Sequence, residues 1–286
     1  MRGDAKSMTV LSPRSAKEAL ASYAKVPSAL PLAGGTDLMV GWNVGLLNGR
    51  AVLDLSRVSE WKKIRVEKHG IEIGSLVTHA AIQRHAVLAK RFPLLAAACA
   101  TVGAAQIQNR GTLGGNIANA SPAGDSFPPL AVYEAVVRVA GPSGKRDIPF
   151  LHVFRGVKKT ALAPGELIES VYLPFPKAGA RGAFRKVGTR MAQAISKTMF
   201  AGLIWIEKNK IKDVRLAFGS MAPTVRRLKA VESALNGKAP TAANIQAASA
   251  LLGDDVSPID DIRSTREYRL VVSRNILTAF LSGDMS

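Results

Sequence analysis

The pattern of apolar and polar positions predicts a chain in which short strands alternate with helices. Residues 15–18 (Ser-Ala-Lys-Glu) fit a capping box, and the apolar positions after them predict a helix. An apolar strand over residues 29–32 leads into a double glycine, and residues 37–47 then predict a helix. A further strand over residues 52–55 completes a β–loop–α–β order near the N-terminus.

The remainder of the chain predicts an α+β protein of two domains. A segment rich in Pro and Gly at residues 173–179 marks the predicted boundary, which gives domains 1–176 and 177–286. The first domain is predicted to divide further, at about residue 57, into subdomains 1–57 and 58–176. Its predicted elements are a hairpin at 64–66 and 71–73, helices at 78–85 and 93–102, and strands at 135–140 and 146–148. The second domain is predicted to hold a strand at 183–187, a hairpin at 199–207 and 211–218, and helices at 224–235, 241–252 and 265–282.

Two double-glycine segments are the main candidates for a binding site. Glycine has no Cβ and tolerates positive φ, so backbone N–H groups in such segments can approach a ligand closely. Neither segment fits the G-x-G-x-x-G or the G-x-x-x-x-G-K-[ST] pattern. Either one alone is explained by a turn, but the pair predicts a split cradle for a phosphate-bearing cofactor. The segments are Leu32-Ala33-Gly34-Gly35-Thr36-Asp37 and Gly111-Thr112-Leu113-Gly114-Gly115-Asn116.

Composition narrows the classes of function. The 286 residues carry a net charge of +18, but the basic residues are scattered and aromatics make up only 6%, which argues against nucleic-acid binding. A solvated basic surface or an acidic partner subunit explains the charge instead. The single cysteine, Cys99, lies in an alanine-rich run and is predicted to be a small core residue. The longest apolar run is too short for a membrane span, and no signal peptide is evident, so a cytoplasmic protein is predicted.

The order of motifs along the chain resembles a known family. The AGGTD segment is followed by QIQNRGTLGGN with a closing SPAGD, then by LAPGELI and FRKVGTR. This order is similar to that of the FAD-binding medium subunit of the molybdenum hydroxylases, the xanthine dehydrogenase and carbon monoxide dehydrogenase family, over about residues 10–281. The resemblance implies a two-part FAD-binding domain of the PCMH type. It also implies a smaller α+β C-terminal domain of the CO dehydrogenase flavoprotein type.

The resemblance also implies roles for individual residues. The two glycine segments would hold the FAD pyrophosphate and adjoining groups, and Asp125 would accept hydrogen bonds from the sugar region of the cofactor. Ile168 would make an apolar contact to the flavin ring, and Lys186 would lie near the isoalloxazine edge, where a cation stabilises reduced, anionic flavin. The chain departs from many relatives at Gln108, where they have Arg, and around Thr36-Asp37. No catalytic residue and no metal ligand is assigned to this chain.

The family resemblance implies partners as well. A large subunit would bind molybdopterin, a small subunit would carry two 2Fe–2S clusters, and the complex would be a dimer of heterotrimers. Electrons would pass from the clusters through FAD to an external acceptor. Two alternatives remain: a stand-alone FAD oxidoreductase of the vanillyl-alcohol-oxidase superfamily, and a flavin-free assembly or structural subunit of the same fold. A single cysteine argues against the benzoyl-CoA reductase branch, which has an extra cluster.

Simpler interpretations exist for several of these side chains. Asp125 could cap a helix over residues 126–132, and Lys186 could be an ordinary surface lysine on a strand. His79 could be a general base, but a surface histidine at a helix start is favoured. The other histidines show no metal-ligand spacing.

Overall fold

The N-terminal part of the computed structural model, which describes residues 3–285, is a small parallel sheet with two helices. The Ser15 hydroxyl accepts a hydrogen bond from the Glu18 N–H, which confirms the predicted helix start. The second helix ends four residues before the prediction, because Gly45 follows it with a φ of +81°. The strands lie in the order β1-β3-β2. The elements are β1 (Thr9–Leu11), α1 (Ala16–Lys25), β2 (Leu30–Leu32), α2 (Leu38–Asn43) and β3 (Ala51–Asp54).

The middle part is an antiparallel sheet with helices packed against it. Its strands are β4 (Ile64–Val66), β5 (Gly70–Gly74), β6 (Val136–Gly141), β7 (Gly144–Pro149) and β10 (Leu167–Pro174), in the order β4-β5-β10-β6-β7. A short hairpin, β8 (Phe154–Gly156) and β9 (Lys159–Thr160), lies beside it. The helices are α3 (His79–Arg84), α4 (Ala86–Arg91), α5 (Pro93–Ala100), α6 (Ala105–Arg110), α7 (Leu113–Asn119) and α8 (Phe127–Val132).

The second glycine segment lies at the start of a helix. The second glycine segment is not a loop: it runs into α7, whose first turn contains both Gly114 and Gly115. Thr112 makes this possible, because its hydroxyl accepts a hydrogen bond from the Gly115 N–H and caps the helix. Leu173, the first residue of the predicted boundary segment, is fully buried and pairs with Ile71 of β5.

The C-terminal part is a second antiparallel sheet covered by helices. The strands β11 (Arg181–Val187), β12 (Thr198–Glu207), β13 (Lys210–Gly219) and β14 (Arg226–Arg227) pair in chain order, which confirms the predicted hairpin. The predicted helix over residues 224–235 begins only at residue 229, because residues 226 and 227 pair with β13. The helices are α9 (Lys229–Leu235), α10 (Ala242–Ala250), α11 (Leu252–Asp255) and α12 (Arg266–Ser282).

Strand β12 joins the two large hydrophobic cores. Alternate side chains of a strand point to opposite faces of its sheet. Ala201, Leu203 and Trp205 therefore pack into the core of the middle part, while Phe200 and Ile204 pack under the C-terminal helices. The C-terminal sheet is thus buried on both faces and is fixed against the middle part. Between residues 3 and 285, no helix combines the length and apolar character needed to cross a membrane.

A buried ion pair links β14 to α9. The Arg227 guanidinium donates to both carboxylate oxygens of Glu232, at 2.6 and 2.9 Å, and to the Ala131 carbonyl oxygen of α8 at 3.3 Å. Glu232 also accepts the Leu216 N–H of β13 at 2.8 Å. The pair therefore links the C-terminal sheet, through β13 and β14, to α9 and to α8 of the middle part.

We expect Glu232→Gln to lower the free energy of unfolding by about 3 kcal/mol, because it leaves the Arg227 charge buried without its counter-ion. Lys229→Ala removes an exposed partner of the same carboxylate, 3.2 Å away, and should cost less than about 1 kcal/mol. Urea unfolding followed by circular dichroism measures both. Equal losses for the two variants would contradict this account of the pair.

Candidate functional site

The first glycine segment lies against the start of the second because Gly34 has no side chain, and the second lies against Ser75 because Gly114 has none. A Cβ at Gly34 would collide with the Arg110 carbonyl oxygen, and one at Gly114 would lie 2.5 Å from the Ser75 Cβ. Gly35 has a φ of +78°, which favours glycine for conformational reasons. Close packing therefore explains Gly34 and Gly114, and backbone conformation explains Gly35, without a ligand.

Gly115 faces the space between the segments. A Cβ there would lie 2.9 Å from the Thr112 hydroxyl oxygen and 3.7 Å from the Ala33 Cβ on the opposite segment. Gly115 is therefore the glycine whose substitution would narrow the cleft itself.

A cavity of about 320 Å³ lies between the segments; we call it the central cavity. Within the chain from residue 3 to residue 285, the backbone N–H groups of residues 34–37 donate to no protein acceptor. A run of unpaired amides beside a cavity suits an anionic group such as a phosphate. Ten of the fourteen predicted site residues line this cavity: Leu32, Ala33, Gly34, Gly35, Thr36, Asp37, Gly111, Thr112, Gly115 and Asn116.

Two further cavities adjoin the central one. The apolar cavity, about 400 Å³, shares Pro31, Ala33, Gly115 and Ala118 with it and is also lined by Gly114 and Ile168. The charged cavity, about 750 Å³, shares Asn116 with it and is lined by Asp125 and Lys186. The three cavities form one track with the glycine segments in the middle. The structure places all fourteen predicted residues along this track, but Ile168 and Lys186 lie in different cavities.

Asp125 and Lys186 form a buried ion pair in the charged cavity. The Lys186 ammonium lies 2.5 Å from Asp125 Oδ2, and the two side chains are only 11% and 8% exposed. Burial raises the pKa of Asp125 to about 6, although Lys186 and the Thr101 hydroxyl oppose the shift. The interpretation of Lys186 as a surface lysine is wrong. Asp125 is not a helix cap either, because Ser126 occupies the N-cap position of α8 and makes no capping hydrogen bond.

His79 lies behind the second glycine segment, and its predicted surface position is wrong. Its ring is buried, Nδ1 lies 3.4 Å from Cys99 Sγ, and its backbone N–H donates to the Gly111 carbonyl oxygen at 3.0 Å. Burial lowers the pKa of His79 to about 4, so the ring is neutral at pH 7. Cys99 is a buried core residue, as predicted, and burial raises its pKa.

Two residues at the edge of the central cavity were missed in the sequence. The Asn119 amide donates to Asp37 Oδ1 at 3.1 Å, and the Lys158 ammonium lies 3.6 Å from the same oxygen and donates to Asn119. These contacts tie the first segment to the end of α7 and to the β8–β9 turn. No local sequence pattern predicts these contacts, because Asp37, Asn119 and Lys158 are far apart in the chain. No group of three or more His, Cys, Asp or Glu side chains in residues 3–285 could hold a metal ion.

Comparison with known proteins decides the family. Residues 6–176 match the model of the FAD binding domain in molybdopterin dehydrogenase, and residues 183–283 match the CO dehydrogenase flavoprotein C-terminal domain. The chain belongs to this family of FAD-binding subunits. Its cofactor type is therefore FAD, and the α+β architecture predicted from the sequence is confirmed.

The relatives span nearly the same length as this FAD-binding subunit. A xanthine dehydrogenase FAD-binding subunit from Escherichia coli is 29% identical over 255 residues, 88% of this chain and 87% of the relative. Caffeine dehydrogenase subunit beta from Pseudomonas sp. is 32% identical over 222 residues, 77% of this chain and 75% of the relative. The solved structure of carbon monoxide dehydrogenase from Hydrogenophaga pseudoflava superposes with a TM-score of 0.90 at 28% identity, covering 95% of this chain and 94% of that one.

We expect Gly115→Val to lower the FAD content of the purified protein about tenfold or more, because the new side chain fills the cleft between the segments. Gly253→Val is the matched control, since a Cβ at Gly253 meets nothing within 4 Å. Flavin absorbance per protein measures the content, and circular dichroism checks the fold. Normal flavin content in Gly115→Val would count against the cleft as the binding site.

The buried His79 predicts a pH dependence of stability. Its pKa in the folded protein, about 4, lies below the value of 6.5 for a free histidine, so the unfolded chain binds the extra proton. The contribution of the neutral His79 ring to the free energy of unfolding is complete above pH 6.5. It is lost as the pH falls toward 4, by about 3 kcal/mol at most. Urea unfolding of the wild type and of His79→Gln across this range measures the difference. A difference that does not change with pH would contradict the assignment.

Proposed function

We propose that this chain holds FAD along the track of three cavities, with the pyrophosphate in the central cavity. The observation that carries the proposal is the run of backbone N–H groups at residues 34–37, which find no acceptor in the described part of the chain and lie opposite the Gly115 side of the cleft. Such donors satisfy a doubly anionic pyrophosphate without a lysine of the P-loop type. The two flanking cavities then receive the two ring systems of the dinucleotide, one on each side.

We assign the isoalloxazine to the charged cavity and the adenine to the apolar cavity. The charged cavity contains Lys186, which the family resemblance puts near the isoalloxazine edge. The apolar cavity contains Ile168, together with Leu76 and Leu167. Ile168 then contacts the adenine and not the flavin ring, which revises its expected role.

The chain's task in this proposal is to hold a flavin and to present it to other molecules. Bound FAD supplies the ability to accept electrons and to pass them on. The residues of this chain bind the pyrophosphate, separate the two rings and enclose the flavin between the middle and C-terminal parts. Electrons arrive from the iron–sulfur clusters of a partner and leave to an external acceptor.

The mouth of the charged cavity supports a role in a complex. Val40, Ile107 and Ile195 come from three separate parts of the chain, line this cavity, and are 65%, 36% and 53% exposed. An apolar rim of this kind is typical of a surface that a partner covers. The relatives are named as subunits or chains of larger dehydrogenases. We therefore propose a small 2Fe–2S subunit and a large molybdopterin subunit as partners, in a dimer of heterotrimers.

Two expectations from the sequence stay proposals of the same kind. One is the division into an FAD-binding domain at 1–176, with subdomains 1–57 and 58–176, and a C-terminal domain at 177–286. The other is the cytoplasmic location of the complex.

Purification of the chain tests the function directly. We expect a yellow protein with about one FAD per chain, and co-purification of a molybdenum- and iron–sulfur-containing partner from the native source. A yellow protein with no partner would favour a stand-alone FAD oxidoreductase. A colourless protein that takes up no added FAD would overturn the proposal and favour the flavin-free structural subunit.

A further inference from the structure

The Lys186 side chain connects the C-terminal part of the molecule to the middle part. It lies on β11 of the C-terminal sheet, and its ammonium donates to the Thr101 carbonyl oxygen at 2.9 Å and to Asp125 Oδ2 at 2.5 Å. The Thr101 hydroxyl lies 3.3 Å from the same carboxylate oxygen. Asp125 Oδ1 makes no hydrogen bond to any residue between 3 and 285, so it is the free oxygen of the pair.

The net charge that faces the charged cavity is the sum of the charges of Asp125 and Lys186. Of the described residues that line the charged cavity, only Asp125 and Lys186 are titratable. Cys99 lies behind Asp125 and stays a neutral thiol, because burial and the Asp125 charge both raise its pKa. With the lysine protonated and the aspartate ionised, the net charge at this end of the track is zero.

We propose that Asp125 acts as the counter-ion of Lys186, so that a flavin in the charged cavity meets a neutral ion pair and not a free cation. Asp125 is thus a positioning residue, which sets the orientation of the lysine and cancels its field. This inference rests on the proposed function, and it changes the role that the family resemblance implies for Lys186.

A free lysine cation and a neutral Asp125–Lys186 pair differ in their effect on the midpoint potential of the flavin. Reduction makes a flavin more negative, so an uncompensated cation nearby raises the potential and an uncompensated anion lowers it. A neutral pair contributes little in either direction. Removing one member exposes the charge of the other, while removing both returns the cavity to neutrality.

The test is a set of potentiometric titrations at pH 7 on the flavin-loaded full chain. Asp125→Asn should raise the potential, by an amount that changes the ratio of reduced to oxidised flavin at a fixed poise about tenfold or more. Asp125→Asn/Lys186→Met should return close to the wild-type value. Asp254→Asn and Lys229→Met change the same charges at exposed positions in the C-terminal part and should leave the potential unchanged.

Lys186→Met alone should have a smaller effect at pH 7 than Asp125→Asn. Without the lysine, which lowers the pKa of Asp125, that pKa rises further above about 6, so less of the Asp125 negative charge remains at pH 7. In Asp125→Asn, the Lys186 ammonium is left without its counter-ion. If instead Lys186→Met strongly lowers the potential and Asp125→Asn has no effect, the lysine acts as a free cation and the proposal is overturned.

A second measurement needs no flavin. In the flavin-free full chain, urea unfolding of the wild type, the two single variants and the double variant forms a double-mutant cycle. We expect a favourable coupling that changes the unfolding equilibrium constant about tenfold or more. A coupling of zero would show that the pair does not form and would overturn the inference. A wild-type chain that binds no FAD but shows the coupling would overturn the proposed function alone.

Discussion

The close approach of two backbones is the constraint on which the rest of this site depends. The first glycine segment can lie against the Arg110 carbonyl only because residue 34 has no Cβ, and α7 can lie against Ser75 only because residue 114 has none. Through these contacts, the small N-terminal sheet and the larger middle sheet share one cleft. Among residues 3–285, no protein acceptor pairs with the backbone N–H groups of residues 34–37, which border that cleft. We propose that the anionic oxygens of the FAD pyrophosphate accept hydrogen bonds from these amides, which would make the same contacts both structural and functional.

The C-terminal part contributes residues directly to the site. Its sheet is buried on both faces, and β12 contributes side chains to two hydrophobic cores. That packing fixes β11 next to the end of α5, where the Lys186 ammonium meets Thr101 and Asp125. Residues 193–195, in the connection between β11 and β12, also line the charged cavity. The site is therefore assembled from three parts of the chain, which packing, hydrogen bonds and ion pairs hold together.

Much of this was visible in the sequence. The capping box at Ser15, the β–loop–α–β order, and the hairpin of β12 and β13 follow from local signals, because capping, turns and alternating patterns act over a few residues. All fourteen candidate residues lie along one track of cavities. The misplaced elements have different causes: the start of α7 rests on a local cap, from the Gly115 N–H to the Thr112 hydroxyl, that the glycine pattern did not reveal. The pairing of residues 226–227 with β13, in contrast, depends on a strand outside the local sequence window.

By itself, the sequence determined the chemistry available: two glycine segments, a lone cysteine, and a family order of motifs that specifies FAD. Residue identity and spacing are enough for these, because a missing Cβ or a missing thiol is a property of the residue. Tertiary structure decided which groups face which. It placed Ile168 and Lys186 in separate cavities, buried His79, and paired Lys186 with Asp125. Burial and charge pairing arise only when distant segments pack together, so no local pattern records them.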